Sequence, residues 1–427
     1  MAQGPVTIFD KSTIQSFSLD EAVIFDNFYR SNIPPVFLVE CLADLERDKR
    51  LMKSTPEQLV GALAEKTPDM QASANVFHLD ILNGELMGKF DLDLMLLRPV
   101  RNDGKEVQLG DQQGMIFQPG PEAAALRRWS RKEFLEAERE HAKGWRLALS
   151  QLDLEEMSNR VLKAIGPWRK PVSLQDAREL TDKIICSLDP EFLLRFGLTL
   201  VGVPEATEWV INDWVTGRRK PLRSKYPYFI HVLSINIFFS LVYPTQLLRN
   251  VKPSHQVDLA YLYYLPFCAV FTSCDNFHVQ IAPLFMTTAQ TFVRGEELKA
   301  DLARLNELYL GLPEAERAKS IFAFAPHPPD DSSFLTSRLW DIYLPYWRPN
   351  SPNRSEVPAE KKQAIEELLT KFHEKTATMV PGTMPGFDSH DFMEVNVNGK
   401  AVKGSYVRVP LDSMKNDASG PPASPAT

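Results

Sequence analysis

The 427-residue chain is poor in cysteine. Cys41, Cys186, Cys268 and Cys274 are its only four, and none stands in a C-x-x-C pair. Neither a disulfide framework nor a zinc site is therefore indicated, and a reducing compartment is expected. A positive balance is lacking too: 48 Lys and Arg face 55 Asp and Glu, a net charge of −7, so bulk charge gives no pull toward phosphate backbones and any such binding must come from local clusters. There is no G-x-x-x-x-G-K loop and no G-x-S-x-G elbow, which removes the motif support for P-loop NTPases and α/β-hydrolases. The start, Met-Ala-Gln-Gly-Pro, has neither a basic region nor an apolar core, so no signal peptide is expected and the cytoplasm is the expected location. Tyr228 to Leu248 alone approaches membrane length. His231, Ser234, Asn236, Pro244 and Gln246 interrupt it, so a buried helix pair is expected and no membrane partner. No internal repeat is present.

What the chain does contain is a set of acids placed at the ends of short apolar segments. Val6-Thr7-Ile8-Phe9 reads as a strand and Asp10 follows it directly, with Lys11, Ser12 and Thr13 behind. Asn32 to Leu45 reads as a helix entered through Pro34 and Pro35, its Phe37, Cys41 and Leu45 four apart, and Glu40 sits inside this apolar stretch. A carboxylate among apolar neighbours is costly without a compensating cation or donor, so Glu40 requires a reason. Further on, Asp258 opens an apolar helix, and Ala269-Val270-Phe271 forms a strand that stops at Ser273, Cys274 and Asp275. A helix packed back on a parallel strand is an α/β unit. Ligands of such sheets sit beyond the carboxyl ends of the strands, where Asp10 and Asp275 would lie.

A strand acid, a helix Glu thirty residues on, then a helix acid and a strand acid seventeen apart resemble the PIN-domain nucleases. Asp10, Glu40, Asp258 and Asp275 match their acidic quartet. Ser273 matches the small hydroxyl residue often found two before the last acid, and Ser12 or Thr13 the hydroxyl residue beside the first. The departure is the gap of more than two hundred residues between Glu40 and Asp258, where a compact PIN domain has a few dozen. The resemblance covers roughly residues 5–50 and 230–290. It implies an α/β, PIN-like parallel-sheet core (1–50 and 230–295) split by a mostly helical insertion (51–229), with C-terminal helices (296–380) and a largely disordered tail (381–427).

Four clustered carboxylates without a His and Cys set suit a hard divalent cation, Mg²⁺ or Mn²⁺. Such a site would hydrolyse phosphodiester bonds by metal-ion catalysis, with Glu40 or Asp258 orienting the attacking water. Without metal the acids should repel one another and raise some of their own pKa values. Each acid also has a plain structural role open to it: Asp10 and Asp258 as helix caps or first-turn acids, Asp275 as a turn residue, Glu40 as a partner of Lys11 or an arginine. His278, three residues past Asp275, reads as a structural histidine.

Arg218-Arg219-Lys220 with Arg223 and Lys225, interleaved with Trp214, Tyr226 and Tyr228, is the densest basic and aromatic stretch and the candidate groove for single-stranded nucleic acid, RNA favoured. Arg127-Arg128-Trp129-Ser-Arg131-Lys132 is a weaker patch, more simply a solvated helix face. The competing readings are a non-catalytic PIN-like scaffold, using the insertion for a protein partner or self-association, and a metal-dependent phosphatase of small molecules.

Elsewhere, Thr55-Pro-Glu-Gln, Ser173-Leu-Gln-Asp and Asp189-Pro-Glu announce helix starts. Glu122 to Leu149 reads as one charged helix broken near Gly144, and residues 76–119 as a β-hairpin or irregular lobe, with Asp91-Leu-Asp93 as two exposed strand acids. Gly295 to Leu312 and Pro358 to Thr378 read as helices separated by a Pro-rich loop carrying Trp340, Tyr343, Tyr346 and Trp347. From Asn416 the chain offers nothing larger than Ala or Pro to bury.

Overall fold

The computed structural model describes residues 4–47, 54–90, 92–101, 104–109, 112–117, 120–245, 247–248, 251–348 and 401–408. The expected helix at 358–378, Asp91 and most of the tail lie outside them. The strands are β1 (Val6–Phe9), β2 (Arg30–Ile33), β3 (Ala72–Ala74), β4 (Gly104–Leu109), β5 (Gln112–Phe117), β6 (Val270–Ser273), β7 (Thr291–Arg294), β8 (Ala401–Lys403) and β9 (Tyr406–Arg408). Five of them form a wholly parallel sheet in the order β3-β2-β1-β6-β7. The protein is therefore α/β, as expected.

β1 pairs with β6 across more than two hundred and fifty residues, Ile8 opposite Phe271 and Phe9 opposite Thr272. Both strands, Val-Thr-Ile-Phe and Val-Phe-Thr-Ser, are almost wholly buried on both faces, as central parallel strands are. The Phe9 ring meets those of Phe25 and Phe37 edge-on, at 5.7 and 5.2 Å, which seats helices Leu19–Phe28 and Pro35–Leu42 on the sheet. From β1 the chain moves outward to β2 and β3; β6 and β7 extend the sheet the other way. The reversal falls between β1 and β6, where an open α/β sheet leaves a crevice at its carboxyl edge.

Several expectations change. Asn32 and Ile33 belong to β2, not to the following helix, which starts only at Pro35. The Asn32 side chain donates to the Phe267 carbonyl at 2.9 Å, so a polar residue is tolerated in a buried strand. β3 adds a sheet strand inside the stretch assigned to the insertion, so the first half of the core reaches at least Ala74. The charged segment after Pro121 is two helices, Pro121–Ser130 and Glu136–Ser150, divided at Lys132, which takes a left-handed conformation (φ 63°); Gly144 sits inside the second. The lobe at 76–119 holds the antiparallel pair β4–β5 but opens with a helix, His78–Leu86. Trp340 and Tyr343 lie in a helix, Leu335–Tyr343; Trp340 and Trp347 are buried, Tyr346 is exposed. Residues 401–408, assigned to the tail, form the hairpin β8–β9, anchored by Arg408. The starts at Thr55, Ser173 and Asp189 are all side-chain caps.

The apolar stretch near 230 is one helix, Pro227–Val242, ending in a tight turn at Tyr243–Thr245, rather than a pair. Taken with that turn, Pro227–Thr245 is long and apolar enough to cross a membrane by composition, yet 72% of its apolar window is buried inside the fold. Its first turn is capped from elsewhere: the buried Glu85 carboxyl accepts from Tyr228 N at 2.7 Å and Phe229 N at 2.8 Å. Burial pushes that carboxyl up to about 7 despite the two donors, which favour its charge. A raised acid stabilises the fold most below its unfolded pKa and loses that contribution as pH rises through the folded value. Glu85→Gln should therefore destabilise more at pH 5 than at pH 8.5, the gap between the proteins narrowing by about 2–3 kcal/mol. Urea midpoints of both proteins at the two pH values check this; a constant gap would refute it.

Candidate functional site

Asp10 lies where the chain leaves β1 and turns into helix Lys11–Ser16, which it caps. Its backbone N–H bonds the Thr272 carbonyl at 3.3 Å, so the β1–β6 ladder delivers Asp10 beside Ser273. Oδ1 accepts from Thr13 N (3.0 Å), Thr13 Oγ1 (2.9 Å) and Ser12 Oγ (2.8 Å); Oδ2 accepts from Ser12 Oγ (2.6 Å) and Ser273 Oγ (2.8 Å). All three hydroxyl residues that the family resemblance singles out thus hold this one carboxylate. Ser12 Oγ and Ser273 Oγ in turn accept from Cys274 N and Asp275 N, at 3.0 and 2.9 Å, fixing the turn after β6.

His278 completes this cluster. It is wholly buried, with Nε2 2.9 Å from the Asp258 carbonyl and Nδ1 3.0 Å from Ser273 Oγ and 3.5 Å from Asp10 Oδ2. A carbonyl only accepts, so Nε2 carries hydrogen; the Ser273 hydrogen points to Asp10, so Nδ1 carries one as well. This arrangement favours an imidazolium. Burial opposes that charge, but Asp10 and Asp258 outweigh it and push the His278 pKa up to about 9. Burial likewise raises the Asp10 carboxyl, and His278, Ser12 and Ser273 more than offset it, leaving Asp10 below its ordinary value.

The other three acids converge on the same edge. Asp275 caps helix Asn276–Phe285 through Phe277 N, at 2.7 Å. Asp258, in the first turn of helix His255–Leu262, has a half-buried carboxyl that accepts no hydrogen bond among the described residues. Burial pushes it up to about 7; His278 opposes this, while Glu40, Asp275 and Asp10 add to it. This is the mutual repulsion expected of clustered acids. Glu40 is bound twice, by Tyr261 Oη to Oε2 at 2.8 Å and by Lys11 Nζ to Oε1 at 3.1 Å.

The structural roles weighed for Asp10 as a helix cap, Asp258 as a first-turn acid and Glu40 as a partner of Lys11 are therefore filled, Asp275 caps a helix rather than standing in a turn, and the other three acids all lie near enough to Asp258 to raise its pKa. Among the described residues, however, no three His, Cys, Asp or Glu side chains stand close enough to form a metal-ligating group. The donor chemistry suits a hard cation, and the unbonded Asp258 carboxyl beside three other acids shares the one His278 charge with Asp10, so the residues match Mg²⁺ or Mn²⁺ in ligand type but not in spacing. Sequence reading offered Lys11 as a partner of Glu40, and the ion pair is there; it missed Tyr261 and set His278 aside. Lys11 and His278 had a signal, being adjacent to Asp10 and one helical turn after Asp275; Tyr261 had none.

The basic stretch does not form the expected stacking groove. Trp214 is only 5% exposed and donates to the Lys220 carbonyl at 2.8 Å; Tyr226 and Tyr228 are buried. Lys225 pairs with Asp213 at 2.7 Å and Arg223 with Asp182, while Arg219 lies over the Trp214 ring. Arg218, Arg219, Lys220 and Arg223 remain exposed cations, but the rings interleaved with them, Trp214, Tyr226 and Tyr228, are buried and leave no open face to stack a base. In the weaker patch Arg128 pairs with Glu138, Arg131 with Glu133, and Trp129 is buried, as a solvated helix face requires. Asp93 caps the turn Leu94–Leu96 rather than lying in a strand. No protein-family model matches the chain, and no curated protein or solved structure resembles it significantly.

Proposed function

We propose that the protein is a PIN-like, Mg²⁺- or Mn²⁺-dependent nuclease that hydrolyses phosphodiester bonds of single-stranded nucleic acid. The observation that supports this is the convergence of Asp10, Glu40, Asp258 and Asp275 on the carboxyl edge of the sheet at its β1–β6 reversal, with Asp258 pushed up to about 7. Four carboxylates face the two cations Lys11 and His278, so the cluster keeps an excess of negative charge that a divalent ion would neutralise. When bound, the ion would draw phosphate oxygen to this negative edge and make a water acidic enough to attack at neutral pH. Asp10, held rigidly by three hydroxyls, and Asp275, fixed at a helix start, would carry it with Glu40 and Asp258. Asp258, its oxygens free and its pKa near neutral, is suited to take the proton of the attacking water. Polymeric substrate is favoured by the exposed Arg218, Arg219, Lys220 and Arg223, and RNA over DNA by the family resemblance alone.

A second reading has its own observation. With Asp10 saturated by hydrogen bonds and Lys11 seated on Glu40, the cluster is satisfied enough to serve as a scaffold. Incubating the full chain with single-stranded RNA and DNA in Mn²⁺, Mg²⁺ or EDTA separates the two. Cleavage that EDTA stops is the expected result, and intact substrate in every lane would favour the scaffold. Cleavage of a small phosphate ester alone, unaffected by neutralising residues 218–223, would mark a phosphatase.

A further inference from the structure

A cavity of about 210 Å³ lies where helices Leu174–Ser187, Pro227–Val242 and Asn276–Phe285 meet. It sits at the end of the last helix remote from Asp275, about 15 Å along the axis at a rise of about 1.5 Å per residue. At roughly 30 Å³ for each water it has room for about seven, enough for a small organic molecule and too little for a nucleotide. Arg178, Arg223, Ile230, His231, Ser234 and Phe285 line it.

The polar lining divides into cationic donors and neutral acceptors. Arg178 lies over the Phe285 ring, its Cζ 4.9 Å from the centroid, with Nε on the Leu284 carbonyl at 3.1 Å and Nη1 2.6 Å from Asp182 Oδ2. Arg223 reaches Asp182 Oδ1 through Nη2. Nη2 of Arg178, and Nε and Nη1 of Arg223, have no partner among the described residues. Two cations thus share one acid, and among the described residues no carboxylate lines the cavity itself. His231 Nε2 is 2.9 Å from the Leu262 carbonyl, which only accepts, so Nε2 carries the hydrogen. Burial, with the Arg178 charge behind it, pushes this ring down to about 4 against that bond. Nδ1 is therefore a bare acceptor at neutral pH, and it has no partner among the described residues. Ser234 gives its hydrogen to the Ile230 carbonyl at 2.6 Å, so its oxygen also serves as an acceptor. Ile230 and Phe285 supply apolar walls.

A ligand that answers this lining carries an anionic group for the guanidiniums, a hydroxyl hydrogen for His231, and an apolar body. An ammonium in place of the hydroxyl would meet the Arg178 charge and find no acid in the lining. We propose that this cavity binds a small hydroxycarboxylate with an apolar body, its carboxylate on Arg178 and Arg223 and its hydroxyl on His231. The site is separate from the acid cluster and does not rest on the nuclease reading. Asp182 competes with the ligand for the arginines. Its pair with Arg223 is half exposed, 45% and 41% for the two side chains, and such pairs hold weakly, so a carboxylate seated in the cavity can take Arg223 over.

The test is calorimetric titration of the full chain with mandelate, phenylacetate and phenylglycine, which share a ring and a carboxylate and differ in bearing a hydroxyl, a hydrogen or an ammonium. Lactate serves as the hydroxycarboxylate with the smallest body. Mandelate is expected to bind saturably at one site, and phenylacetate and phenylglycine at least tenfold more weakly. Arg223→Gln, a change at a half-exposed side chain, should weaken mandelate at least tenfold with the melting temperature unchanged. Asp182→Asn should tighten it severalfold by removing the competitor. The proposal is overturned if neither mandelate nor lactate binds saturably, or if Arg223→Gln binds as wild type does. Phenylacetate binding as tightly as mandelate would remove the hydroxyl from recognition, and phenylglycine binding more tightly would make the site one for amino acids; either result overturns the ligand class. Weaker binding by Asp182→Asn would make Asp182 part of the site and overturn its role as competitor.

Discussion

Asp10→Asn should lower metal-dependent cleavage by about a thousandfold or more while leaving the protein folded. The substitution keeps the size of the side chain and one acceptor oxygen, so Thr13 N and Thr13 Oγ1 still find their cap. What changes is the other oxygen. An amide NH₂ there would point a donor at Ser273 Oγ and at His278, both of which already donate to Asp10. His278 also loses its closest negative charge, so its pKa should fall from about 9 toward the ordinary range. Losing that charge-assisted contact should cost about 1.5–3 kcal/mol of stability, moderated because the imidazole can give up its proton. A metal site deprived of a ligand loses several kcal/mol of transition-state stabilisation, and each 1.36 kcal/mol is tenfold in rate. Cleavage assays well below the melting temperature, with folding checked by circular dichroism, separate the two effects. Activity within tenfold of wild type would remove Asp10 from the chemistry.

The acids and the short strands beside them were legible because strand ends impose local patterns: Val6–Phe9 is a run of apolar and β-prone residues cut off by an acid, and Val270–Ser273 is another. The α/β class followed from those two segments. β2 was not legible, because Arg-Ser-Asn-Ile carries little hydrophobic signal and its pairing is with β1 and β3 rather than with anything nearby in sequence. β3, Ala-Ser-Ala, is plainer still. The partners inside the site belong to the same category. Tyr261 and Glu40 are brought together only by the packing of two helices more than two hundred residues apart, and Lys11 reaches Asp44 across 33 residues of chain through the packing of its helix on the segment after Leu42. Trp214 misled because an aromatic among cations reads the same whether its ring faces solvent or the core; here the indole N–H is spent on the Lys220 carbonyl and the ring is covered.

Asp26 and Arg408 make the largest stability claim. Asp26 is fully buried on helix Leu19–Phe28, and its oxygens accept from Asp69 N (3.1 Å), Met70 N (3.2 and 3.1 Å) and Gln71 N (3.2 Å), the backbone that leads into β3. Arg408 Nη2 reaches the same carboxylate at 2.8 Å and Asp69 at 2.5 Å, while Ser405 N bonds Asp20 at 2.7 Å and Tyr406 bonds Asn306 at 2.6 Å. One buried carboxylate thus joins a core helix, the edge strand and a hairpin from the far end of the chain. Asp26→Ala removes the acceptor of three backbone donors and leaves the Arg408 charge buried beside Asp69 alone. Breaking such a pair from one side costs about 3–5 kcal/mol, a large part of the stability of an ordinary domain. Arg408→Met should cost less, because the carboxyl keeps its backbone donors and can take up a proton. The double variant Asp26→Ala with Arg408→Met should lose less than the sum of the two single losses, since the uncompensated charge is gone but the backbone donors near Met70 still lack an acceptor. Urea denaturation of the wild type, the two single variants and the double variant should then give a coupling energy of about 2 kcal/mol or more between the sites. Additive losses would show that Arg408 packs there without answering Asp26. In Arg408→Met the hairpin should also become open to proteases while the sheet core persists, because Asp26 still organises β3; simultaneous loss of both would mean that the hairpin folds as one unit with the sheet.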